Sequence, residues 1–112
     1  MSSRADDPIY HDFYHETEEM VDELEVILFD VEKDPSCWEE HKDIMMRNLH
    51  SIKGASGMFG LIELSEFVHY IEDELKDGLP KVEFISYFID QLPLIKAGVL
   101  DESVQFIKYH GE

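Results

Sequence analysis

The chain has 112 residues, 44% of them hydrophobic, and a formal net charge of -17 from 26 acidic and 9 basic side chains. That length fits one domain with enough apolar material for a core. A polyanion of this kind repels nucleic acid and anionic membrane surfaces, which excludes both as partners, and its plainest reading is solvated helix faces. The single cysteine, Cys37, excludes an internal disulfide and a paired-cysteine metal site. The first residues lack a basic-then-apolar secretory signal, and no apolar run approaches the ~18 residues of a membrane span. The expectation is a soluble, cytoplasmic chain.

Residues 1–8 are polar, end in Pro8 and read as a flexible lead-in, leaving 9–112 as the folded domain with its core in 13–92. From about Ile9 to Val31, Phe13, Met20, Leu24, Ile27, Leu28 and Val31 recur at helical spacing, with acidic residues between them. The stretch from Ile9 to Phe13 could form a separate short turn. Asp34, Pro35 and Ser36 end that helix and open a second, expected from about Ser36 to Met58. Gly60 suits a left-handed C-terminal position. A third helix is expected from about Ile62 to Lys76, with Leu64, Phe67, Val68, Ile71 and Leu75 inward. Asp77, Gly78, Leu79 and Pro80 stop it. A fourth starts near Lys81 and carries Val82, Ile85, Phe88, Ile89 and Leu92, with Pro93 ending or bending it. Leu100, Val104 and Ile107 are spaced for a short fifth helix over Val99 to Tyr109. Long helices with short connections make antiparallel neighbours. The fold class is therefore all-α, an up-and-down four-helix bundle with this possible C-terminal addition.

Chemistry concentrates on the second helix. Lys53, Gly54 and Gly57 stand three, four and seven residues after His50, on one face beside the inward Leu49 and Ile52. Glycine in a helix interior costs ~0.8–1.0 kcal/mol against alanine, so this smoothness must serve something other than the helix. An imidazole near neutral pH is a competent nucleophile. A neighbouring lysine pairs with phosphoryl oxygens, and Gly54, Gly57 and Gly60 leave room for a partner protein's surface. On the third helix, Glu72 and His50 lie twelve and ten residues from Gly60, which brings them side by side across an antiparallel turn. Glu72 would then hold the imidazole Nδ1–H and leave Nε2 free to take a phosphate, with His69 supporting the network.

His50, Ser51, Ile52, Lys53 and Gly54, then Phe59 and Gly60, then His69, Glu72 and Leu75, resemble histidine phosphotransfer domains. Among these the likeness is to the amino-terminal phosphotransfer domain of chemotaxis histidine kinases, the CheA family, and it runs from roughly Phe13 to Asp90. The resemblance implies that His50 accepts a phosphoryl group on Nε2, assisted by Lys53 and Glu72. It implies a histidine kinase catalytic domain and a response-regulator receiver domain as partners, the phosphate passing to a receiver aspartate. No cofactor of the chain's own is implied, since magnesium comes with the kinase or receiver. The chain carries no glycine-rich nucleotide motif, so it reads as a phosphocarrier domain without an ATP site. Whether it is a free-standing carrier or the phosphoacceptor part of a larger histidine kinase stays open; the character of the tail favours the former slightly. A monomer is expected.

Two other readings compete. One is an acidic, non-catalytic helical adaptor, which the combination of His50, Lys53 and Glu72 disfavours. The other is a metal site on His11, His15 and Glu19, whose spacing suits a divalent ion but equally suits a wet helix face. The expectation is that no metal is bound.

Overall fold

Asp7 opens the first helix by accepting a hydrogen bond from the Ile9 N–H at 2.9 Å, with Pro8 in the first turn, where its missing donor costs nothing. The computed structural model describes residues 7–110, so most of the expected lead-in, residues 1–6, lies outside the described residues. Helix α1 runs unbroken over Pro8–Lys33, without a separate turn at its start. Asp34 then accepts from both the N–H and the hydroxyl of Ser36, which shapes a single 3-10 turn at Pro35–Cys37. Helix α2 consequently begins at Trp38 rather than at Ser36, and runs to Met58. Helices α3 and α4 span Ile62–Leu75 and Val82–Leu100.

The turn between α2 and α3 is a Schellman motif. The Leu61 N–H donates to the Ser56 carbonyl at 2.8 Å and the Gly60 N–H to the Gly57 carbonyl at 3.1 Å. Gly60 takes φ +78°, and the buried Leu61 closes the motif on its apolar side.

Helix α1 packs on α2 and α4, α2 on α3, and α3 on α4, giving a ring of antiparallel neighbours around one core. The inward face of α3 is the expected one: Leu64, Phe67, Val68, Ile71 and Leu75 are all buried. Helix α1 adds Tyr10, Thr17 and Val21 to its expected stripe. Val82 departs from expectation and is exposed, while Phe84 and Ile85 in the same turn are buried. Among the described residues no helix is long and apolar enough to cross a membrane.

The end of the chain corrects the expectation most. Helix α4 passes through Pro93, whose ring faces solvent, and continues to Leu100. Among the described residues no fifth helix follows. Asp101 accepts hydrogen bonds from the N–H of Ser103 at 2.9 Å and its hydroxyl at 2.6 Å, a local turn that competes with further helix. The remainder, through His110, is an irregular strap over α3 and α4. Phe106 stacks on Phe67 with ring centroids 4.8 Å apart, while Ile107 faces outward. The ring of Phe106 needs the absent side chain of Gly98, where a Cβ would stand 2.6 Å from its tip. Tyr109 sits against Phe84 and Tyr87, its N–H donating to the Tyr70 hydroxyl at 3.0 Å, and the Tyr87 hydroxyl donates to the Ile107 carbonyl.

Candidate functional site

Burial of Leu49 and Ile52 rolls α2 so that the next face outward carries His50, Gly54 and Gly57, all exposed. The side chain of His50 is 74% exposed. Across the α2–α3 seam, Ile71 and Leu75 point into the core and turn Glu72 towards that face, where its carboxylate is only 13% exposed. The Schellman turn sets the two helices in the register that makes these residues neighbours.

Glu72 faces two side chains of α2 at once. Its Oε1 lies 2.8 Å from Lys53 Nζ, and its Oε2 lies 3.7 Å from His50 Nδ1. The first contact is a close ion pair, whose partly buried position shields it from water. The second is too long for a hydrogen bond. Glu72 therefore stands on the Nδ1 side of the imidazole as a fixed negative charge, short of the direct Nδ1–H contact anticipated from the sequence. Nε2 is the nitrogen away from this partner. Lys53 Nζ also reaches 3.5 Å from His69 Nδ1, so His69 joins the group through Lys53.

The structure thus brings His50, Lys53, Glu72 and His69 together across one seam. The glycines divide into two kinds. Beyond Gly54 there is open space, and a Cβ on Gly57 would make ordinary contact with Ser65 Oγ at 3.6 Å, whereas Gly60 is held by its backbone angle.

Several supporting residues were not anticipated. Ser65 donates to the Lys53 carbonyl at 3.0 Å and ties α3 to α2 one turn beyond His50. Asp73 sits 3.4 Å from His69 Nε2 and 3.4 Å from Lys76 Nζ; its spacing from His69, four residues along the helix, was the available signal. Asn48 donates to Glu23 at 2.6 Å, so Glu23, exposed on the acidic face, also braces α1 against α2. At the other proposed site, His11 and His15 have ring centroids 4.4 Å apart, and His15 pairs with Glu18 at 3.4 Å rather than with Glu19. Among the described residues no group of three or more histidine, cysteine or acidic side chains converges as a metal site.

Comparison with known proteins identifies a family. Residues 8–98 match the Hpt domain family. The chemotaxis protein CheA of Borreliella burgdorferi is 30% identical over 89 residues, which is 75% of this chain and 10% of that protein. Its Treponema pallidum counterpart is 34% identical over 75 residues, 67% of this chain and 9% of that protein. CheA of Rhizobium meliloti is 41% identical over 66 residues, 56% of this chain and 8% of that protein. The chain therefore spans about a tenth of the length of the curated relatives it matches. No solved structure matches it. With the family match spanning the first three helices and nearly all of the fourth, the chain belongs to the Hpt domain family, the histidine phosphotransfer domains of phosphorelay signalling.

Proposed function

We propose that His50 is the phosphoacceptor, that it takes a phosphoryl group on Nε2 from a histidine kinase or a phosphorylated receiver, and that it passes the group to a receiver-domain aspartate. The carrying observation is the pairing of an exposed imidazole with a half-sequestered Lys53–Glu72 ion pair on its Nδ1 side. A carboxylate there favours the tautomer with the proton on Nδ1 and leaves the Nε2 lone pair to attack phosphorus. As the Nε2–P bond forms and the bond from phosphorus to the leaving oxygen breaks, the ring becomes cationic. The negative charge of Glu72 stabilises that cation. Lys53, held at the seam, offers its ammonium to the phosphoryl oxygens. Gly54 and Gly57 leave the approach to Nε2 unobstructed, as in-line transfer between two proteins requires.

The partners supply what this face lacks. A magnesium ion, brought by the kinase or receiver, neutralises charge on the transferring group. Since the relatives are chemotaxis proteins by name, a chemotaxis-type pathway is the proposed setting. The test is incubation with a cognate kinase and ATP labelled on the γ-phosphate. The expected product is an acid-labile, base-stable label on the parent protein and none on His50→Gln. A label retained by His50→Gln would sink the assignment.

A further inference from the structure

His50 stands between two flanks of different charge. Towards α1, Glu16, Glu19, Glu23 and Ser51 line one groove. Towards α3, Lys53, Ser65, His69, Tyr70 and Lys108 line another. Glu66 and Asp73 share this second groove, and Asp73 is already engaged by Lys76 and His69. The first groove carries three carboxylates and no cation, whereas the second sets the ammonium groups of Lys53 and Lys108 against the two carboxylates, with Lys53 also paired to Glu72, so an anion approaching His50 is repelled less from the second side.

Lys108 reaches this groove only because the strap folds back over α3. Its ammonium lies 5.3 Å from the centroid of the Tyr70 ring. A π face holds the cation without neutralising it, as a carboxylate would. The residues on either side fix its place: Phe106 on Phe67 and over Gly98, and Tyr109 on the Tyr70 hydroxyl. Tyr70 directly follows His69, which contacts Lys53. The strap is thereby joined to the same side of α3 that borders His50.

We infer that Lys108 is a steering residue for anionic phosphoryl donors: with Lys53 it makes the α3–strap flank the side from which such a donor reaches His50, and docking of the strap keeps it there. The inference rests on His50 being the phosphoacceptor. One unit charge acting through water over about 10 Å alters the local concentration of a monoanion by roughly twofold. The effect survives at a Debye length of about 30 Å and disappears at about 3 Å, which correspond to ionic strengths of about 0.01 M and 1 M.

The experiment uses the full chain with phosphoramidate as the donor, so that no kinase is needed. The Nε2–P bond forms on His50 while the donor's N–P bond breaks and ammonia leaves. At an ionic strength of about 0.01 M, Lys108→Ala is expected to lower the second-order rate constant roughly twofold, and Lys108→Glu roughly fourfold. Lys108→Arg should keep the parent rate. At about 1 M the differences should vanish, which a loss of structure would not do. Phe106→Ala, which releases the strap, should match Lys108→Ala, and the double variant should lose no more than either. A parent rate in Lys108→Ala at low salt, a deficit indifferent to salt, or a parent rate in Phe106→Ala would overturn the inference. Failure of the parent protein to label on His50 would instead overturn the proposed function.

Discussion

Glu72 and His50 are unequal partners: the carboxylate is 13% exposed and pinned to Lys53, while the imidazole is 74% exposed. In the proposed transfer the fixed member sets the field and the free member takes the phosphoryl group. Glu72→Ala should therefore leave the helical circular dichroism unchanged and slow phosphorylation of His50 by about 10–100-fold, the usual effect of losing a partner that orients a functional histidine. An unchanged rate would refute the role given to Glu72. Gly54 provides a second test at this scale. It lies inside α2 with open space where a side chain would stand, so nothing within the chain demands glycine. Gly54→Ala should raise stability by about 0.8–1.0 kcal/mol in urea unfolding. Gly54→Leu should fold equally well yet transfer phosphate to a receiver more slowly, and undiminished transfer would remove this glycine from the docking surface. The meeting of His50, Lys53 and Glu72 was legible because helical offsets and the similar counts from Gly60, ten residues back and twelve forward, point to it. The separation of His50 from Glu72 was not, since it depends on side-chain rotamers, and Glu72 is held by Lys53 at 2.8 Å.

At the level of elements, the four helices were legible because apolar spacing and the breakers at Pro35, Gly60 and Gly78 agree. The strap was misread because Leu100, Val104 and Ile107 repeat at helical intervals while the inward contacts belong to Phe106 and Tyr109. Asp101 with Ser103 was the local signal against helix, and Gly98 the mark of something packed closely. Pro93 was read as an end or a bend, but its exposed ring lets α4 continue with one backbone bond missing. Pro93→Ala should therefore raise the thermal midpoint, by an amount equivalent to about 1–3 kcal/mol; a lower midpoint would mean that the proline stabilises this helix. The strap also carries a pH dependence. Burial, first of all, pushes the phenols of Tyr70 and Tyr87 above their ordinary value of 10.0. A phenol that resists ionisation when folded confers stability that is complete below the unfolded value and is lost as pH rises through it. The urea midpoint should fall as pH rises beyond 10.0, and fall less steeply in Tyr87→Phe. Equal slopes would dissociate the strap from that loss.

For the molecule as a whole, the net charge of -17 is the dominant global quantity. Self-repulsion on this scale opposes the compact state, and salt relieves it. The thermal midpoint at neutral pH should rise between about 0.01 M and 0.5 M sodium chloride; a falling midpoint would show that local ion pairs such as Lys96–Asp22 outweigh the repulsion. The bundle holds this charge on its outer faces and keeps one lysine, Lys53, at the seam beside His50, the proposed phosphoacceptor. The most direct measurement of that role is the bond itself. With histidine labelled with nitrogen-15 in the phosphorylated protein, phosphorus–nitrogen coupling should appear at Nε2 of His50. Coupling at Nδ1, or at any other histidine, would contradict it.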